Sequence, residues 1–241
     1  MATTPTGPRG TSTGAPTGTS RSSSHGTLHA VDGATRVPAP EPRRLVVLAA
    51  GLSQPSSTRL LADRLASATV EELEARGVPV EVRTLEVRDL AHDVVNRLLT
   101  GFPSEALTDA LEAVDGADAL IAVTPIFAAT ASGLFTSFVD VIDKDALTGK
   151  PVLLGATGGT ARHSLAVEHG VRPLFTYLRA HVESTAVFAA TDDWGSAEDA
   201  LPSRIRRAGA ELAATVAARP PVVRVDEFDD VPSFEQLLGN A

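Results

Sequence analysis

From Arg44 onward, short apolar runs alternate with longer segments whose apolar residues recur at helical spacing. That alternation restricts the chain to a parallel sheet covered by helices on both faces. Five runs carry the strand signal: LVVLAA at 45–50, VPVEVRTL at 78–85, ADALIAVT at 117–124, PVLLGAT at 151–157 and VESTAVFAA at 182–190. The first, third and fourth are almost continuously apolar, as strands buried on both faces must be, whereas the second alternates and suits an edge. Helical stripes fall between and after them: Leu61, Leu65 and Ala68; Leu134, Phe138 and Val141; Val167, Val171, Leu174 and Leu178; then Ile205, Ala208, Leu212 and Val216.

The two ends of the chain read differently. Residues 1–42 are dominated by Thr, Ser, Gly and Pro, with no apolar run able to form a core face, and predict a disordered leader. Arg is too sparse there, and Gly and Pro too frequent, for the amphipathic helix of a transit peptide. The domain is expected over 43–219 and a tail over 220–241, where Phe228, Phe234, Leu237 and Leu238 stand among acids. Docking on a neighbouring subunit, covering the mouth of a site, and simple disorder are alternative readings of that tail. No window holds enough consecutive apolar residues for a membrane span. The absence of cysteine excludes disulfides, thiolate metal sites and a cysteine nucleophile, and with no signal peptide it predicts a cytoplasmic protein. A formal net charge of -9 argues against nucleic acid or an acidic membrane surface as partner.

Five strands, each followed by a helix, fit the flavodoxin-like strand order 2-1-3-4-5, a doubly wound α/β sheet in which ligands bind beyond the carboxyl ends of the strands where the order reverses. The loops after the first, third and fourth strands are therefore expected to share one site. The first, GLSQPSST at 51–58, combines small residues, hydroxyls and a helix start near Thr58, which together make an anion cradle suited to a phosphate monoester. An ordinary Ser/Thr helix cap accounts for the same residues. It has neither the P-loop nor the GxGxxG spacing. In the second, TPIFAATASG at 124–133, Pro125 is expected to hold the chain away from the sheet, Phe127 to stand at the mouth and the small residues to leave room for a flat ligand. The third, GATGGTARH at 155–163, offers glycines against which a planar ring could lie, or a plain glycine-rich turn.

These residues resemble the NADPH-dependent FMN reductase family of flavodoxin-like proteins, in particular the type partnered with luciferase-like monooxygenases. The matching pieces are GLSQPSSTRLLADRL, TPIF followed by SGLFTSFVD with its Asp140, and GATGGTARHSLAVEHGVRPLFTYLRAHV, with a further likeness at VPSFEQLL near the end. The resemblance implies FMN and NADPH or NADH as cofactors. Carried over, Ser53, Gln54, Ser56, Ser57 and Thr58 would hold the FMN phosphate, Thr124, Pro125, Ile126 and Phe127 would line ribityl and ring, and Thr157, Gly158 and Gly159 would face the isoalloxazine. Arg162 would meet the phosphate of FMN or NADPH. The chain departs from the family pattern in three places: no Arg stands near Gln54, Phe127 replaces a Tyr, and Thr136 replaces a Lys. Charge compensation is then expected from helix dipoles, Arg59 or Arg162.

Hydride transfer between nicotinamide and flavin requires positioning rather than a side-chain acid or base, so no catalytic residue is assigned. His163 could touch flavin or nicotinamide, or could simply be solvated. The rival readings are a flavodoxin-like electron carrier, a quinone reductase and a non-enzymatic binding module of the same fold. A carrier typically flanks its ring with Trp or Tyr, and Trp194 and Tyr177 both lie outside the strand-three loop. A phosphoacceptor domain would need an Asp where Thr124 stands. No metal-ligand spacing and no GxSxG are found. Because Phe135 and Phe138 fall on more than one side of the helix at 134–142, a homodimer or higher homo-oligomer is expected, with a flavin-dependent monooxygenase as further partner.

Overall fold

The structure is a computed structural model describing residues 41–195 and 200–222; most of the leader and the tail motif VPSFEQLL lie outside the described residues. The sheet is built from β1 (Arg43–Ala49), β2 (Val80–Glu86), β3 (Ala119–Phe127) and β5 (Pro151–Gly158), with an edge formed by β6 (His181–Val182) and β7 (Val187–Ala190). These strands run parallel in the order β2-β1-β3-β5, with β6 and β7 both on the outer edge of β5. This is the flavodoxin-like order predicted from the sequence.

Alternation along the strands sends side chains to two cores. Leu45, Val47 and Ala49 of β1 pack with Ile121 and Val123 of β3 under α1 (Ser57–Ala75) and α6 (Ala200–Ala217). Val46 and Leu48 face the other way, beneath α2 (Ala91–Thr100), α3 (Glu105–Asp115), α4 (Gly133–Asp140) and α5 (Arg172–Tyr177). The expected stripe Leu61, Leu65 and Ala68 is buried, as are Ile205, Ala208, Leu212 and Val216. Phe135 and Phe138 are also fully buried, in the protomer's own core, with Phe135 stacked at a tilt on Phe175, ring centroids 6.1 Å apart. They therefore leave no aromatic face for a second subunit. Instead Leu99 and Phe102, on and just after α2, are about four-fifths exposed.

Three further details differ from expectation. The connection from β2 to β3 holds two helices, α2 and α3, the second with Leu107, Ala110 and Val114 buried on one stripe. The run at 182–190 is two short strands, because four steps along β5, from Pro151 to Gly155, match six on the edge, from His181 to Val187. The extra residues form a bulge in which side chains satisfy backbone groups: the Glu211 carboxylate accepts from the amides of Ser184 and Thr185 at 2.7 and 3.2 Å. The Arg172 guanidinium donates to the carbonyls of Glu183 and Ser184 at 2.9 and 3.3 Å. Finally, β3 does not end at Thr124. Pro125 remains in the sheet opposite Thr157, and the chain then folds back through Ala128 and Ala129 into the antiparallel β4 (Thr130–Ala131).

Candidate functional site

At the carboxyl ends of β1, β3 and β5 the three loops converge on a cavity of about 520 Å3. Its walls include Ser53, Ser57 and Thr58 from the first loop, Pro125, Ile126 and Phe127 from the second, and Thr157, Gly158 and Gly159 from the third. A hollow of about 760 Å3, lined by residues of α2, α3 and the segment 140–146, is larger but touches none of these loops. Position at the strand ends therefore favours the smaller cavity.

The first loop is shaped for an anion. Ser56 caps α1: its Oγ accepts from the Arg59 amide at 3.2 Å, and its carbonyl accepts from the Leu60 amide at 3.0 Å. The helix has no internal acceptor for the amides of Ser57 and Thr58, which remain as donors at its positive end. Gly51 lies directly beneath this cap, since a Cβ there would collide with Ser56 Oγ. The first and third loops are joined by a buried hydrogen bond of 2.8 Å between the Thr58 and Thr157 hydroxyls.

The second loop supplies the apolar wall. Thr124 is fully buried and is used internally: its Oγ1 accepts from the Ser132 amide at 3.2 Å and donates to the Pro125 carbonyl at 3.0 Å, closing the hairpin. Phe127 stands beyond that closure, half exposed at the cavity rim, with Leu52 similarly exposed on the first loop. Ala128 and Ala129 form the tip with positive φ values of 46° and 63°. In the third loop the glycines differ. A Cβ on Gly158 would lie 2.8 Å from Phe188 Cζ, so packing behind the site requires a glycine at this wall position. A Cβ on Gly159 would meet nothing within 4 Å, so the space in front of this glycine is open.

Of the residues expected at the site, Gln54, Ser56, Thr124 and Arg162 do not line the cavity. Arg162 stands exposed on the short turn after β5. Arg59 is paired with Asp63 and Glu86 at 2.7 and 2.6 Å, and both carboxylates raise its pKa further. Two residues the sequence did not indicate are present. Trp194, on the turn after β7, forms part of the wall with Thr191, and Arg64 lies 5.1 Å from its ring centroid. Arg88, on the turn after β2, donates to the Ser53 carbonyl at 3.3 Å, and the Gln54 side-chain amide lies against the same guanidinium, its oxygen the atom that would accept there.

The family model described as NADPH-dependent FMN reductase matches residues 43–195. The NADH-dependent FMN reductase SfnE of Pseudomonas putida is 34% identical over 69% of this chain and 89% of its own. An FMN reductase (NADPH) of Pseudomonas aeruginosa is 30% identical over 76% and 98%. Among solved structures, an oxidoreductase from Corynebacterium diphtheriae is 42% identical, with a TM-score of 0.72 over 74% of this chain and 99% of that one. The apo NADH:FMN oxidoreductase EmoB is 27% identical, with a TM-score of 0.65 over 74% and 92%. With a family match over more than half its length and relatives spanned almost end to end, the chain belongs to the NADPH-dependent FMN reductase family.

Proposed function

We propose that this protein transfers hydride from NADPH or NADH to FMN at the three-loop cavity and hands the reduced flavin to a partner monooxygenase. The observation that carries the reading is the convergence of an anion cradle, an apolar wall and open space over Gly159 in one cavity at the strand ends. In it the amides of Ser57 and Thr58 and the Ser57 hydroxyl bind the phosphate, Pro125, Ile126 and Phe127 line the ribityl chain and ring, and the backbone of Thr157 to Gly159 orients the ring edge. Bound FMN supplies the hydride acceptor. The chain contributes orientation and water exclusion, with Phe127, Leu52 and Trp194 as the apolar surfaces that limit access.

NAD(P)H oxidation followed at 340 nm with and without added FMN, alongside the protein's own visible spectrum, tests this. Oxidation that depends on free FMN supports the reductase. A yellow protein without turnover favours an electron carrier, a second reading to which Trp194 on the cavity wall lends support. A colourless inert protein overturns both.

The finer assignments belong to the same proposal. Val95, Leu98 and Leu99 of α2 with Phe102 make an exposed apolar surface suited to a second copy of the chain. Sedimentation of Leu99→Glu as a monomer where the parent is a dimer supports it, and a monomeric parent at micromolar concentration overturns it. A cytoplasmic setting suits a chain without cysteine that consumes NAD(P)H, and among the described residues no helix is long and apolar enough to cross a membrane.

A further inference from the structure

The cradle at the start of α1 has a charge problem. Its segment from Gly51 to Thr58 contains no Lys or Arg, the whole chain carries a formal charge of -9, and FMN brings a phosphate that is close to dianionic at neutral pH. Backbone dipoles alone would have to hold that anion against the field of an acidic protein. The guanidinium groups around the site are differently engaged. Arg59 is taken by Asp63 and Glu86, Arg64 lies over Trp194, and Arg162 is exposed outside the cavity wall. Arg88 is also outside the cavity wall, but it is the one bound to the cradle segment itself, through the Ser53 carbonyl, with the Gln54 side-chain amide against the same guanidinium.

The strand order explains how a residue so distant in sequence reaches the first loop. β2 lies beside β1 in register, with Ala49 opposite Glu86, so the turn leaving β2 at Val87 to Leu90 emerges next to the loop leaving β1. The Arg88 side chain is only 20% exposed, with its fork against the loop at the Ser53 carbonyl. By holding the Ser53 carbonyl, Arg88 also fixes the peptide that carries the Gln54 N-H, and a trans peptide turns that N-H away from the guanidinium. One side chain thus both braces the loop and places positive charge beneath it. Asp89 partly offsets that charge, 3.4 Å from Arg88 Nε, from a side chain that is itself mostly exposed.

We propose that Arg88 is the charge partner and positioning residue of the phosphate cradle, and that it makes this site prefer FMN to riboflavin. The proposal rests on the FMN-reductase reading above and adds the residue that selects the phosphorylated flavin. A positive charge acts through space on a phosphate and not on a neutral hydroxyl, so its loss is felt by the phosphorylated flavin and not by the flavin that lacks the phosphate.

The test is titration of FMN and of riboflavin into the parent protein, Arg88→Gln, Arg88→Lys and Asp89→Asn, read by flavin fluorescence. The expected result is a loss of about 10- to 100-fold in FMN affinity for Arg88→Gln, the scale of one nearby charge acting on the phosphate through partly screened protein. Riboflavin affinity stays within about twofold, and Arg88→Lys recovers part of the FMN affinity. Asp89→Asn, which removes the offsetting carboxylate, tightens FMN a few-fold and leaves riboflavin unchanged. Equal losses for both flavins would mean a brace without a charge role and would overturn the proposal, as would unchanged FMN binding in Arg88→Gln. A parent protein that binds neither flavin overturns the FMN-reductase reading itself, and the assignment of Arg88 with it.

Discussion

Gly51 and Ser56 are coupled, because a methyl group at 51 has to pass through the hydroxyl that caps α1. Gly51→Ala is expected to cost about 1 to 3 kcal/mol through overpacking. Most of that cost will vanish in a Ser56→Gly background, since Gly is itself an acceptable cap. Thermal unfolding of the double-mutant cycle checks it, with additive costs as the contrary result. The hairpin tip stores strain of another kind. Ala128 and Ala129 occupy left-handed backbone that alanine disfavours by about 1 kcal/mol, so Ala129→Gly should raise the melting temperature by about 2 to 4 °C. At this scale the sequence was informative where chemistry is local: hydroxyls and glycines after an apolar run mark a loop at a strand end. It was silent about Arg88 and Trp194, whose neighbours are set by strand order and not by sequence distance. Nor could it show that Gly158, besides lining the cavity, has no room for a side chain against Phe188 on the next strand.

The interrupted edge of the sheet shows what periodicity leaves out. Val182 and Val187 to Ala190 have strand character, but the two-residue mismatch against β5 depends on Glu211 and Arg172 being at hand to satisfy the bulged backbone. Glu183 sits within that bulge, buried, and its Oε1 has no hydrogen-bond partner. Burial raises its pKa above the ordinary 4.5. Between 4.5 and the raised value the folded chain binds more protons than the unfolded chain, so this group's contribution to stability falls as pH climbs through that window. Glu183→Gln should therefore stabilise the protein by about 1 kcal/mol at neutral pH. The gain should shrink to nothing in acid, and melting curves across pH 4 to 8 would refute this by showing a constant offset. The hairpin at the end of β3 was missed for a related reason: proline ordinarily argues against a continuing strand, yet Pro125 keeps its place opposite Thr157.

Across the whole molecule, the two ends of the sheet have different duties. The carboxyl ends form the cavity. At the opposite end Asp118 accepts from the Arg43 side chain and from the amides of Arg44 and Val222, tying β1, β3 and the exit of the last helix together. Nearby, Lys150 donates to the carbonyls of Val114 and Asp115 at the close of α3, and burial pushes its pKa down to about 8. Asp118→Ala should lower stability by about 3 to 5 kcal/mol, as expected when one partner of a buried ion pair is removed. FMN affinity measured below the new melting temperature should be unchanged, and a parallel loss of both would show that the two ends are not separable. Fold class and sheet order were legible because long apolar runs dominate that choice. The surface presented by α2 was not, because an outward-facing apolar residue reads in sequence like an inward one.

The hydroxyl pair Thr58 and Thr157 gives the cavity a property that neither loop has alone. It is a buried joint between the helix proposed to hold the phosphate and the strand end proposed to face the ring, so immobilising one side restrains the other. Inorganic phosphate, too small to reach the third loop, should then slow amide hydrogen exchange at Thr157 to Gly159, and Thr58→Val should abolish that slowing. In such a protein the tail of the flavin would announce its head: the phosphate, arriving first, would prepare a seat for a ring it never touches.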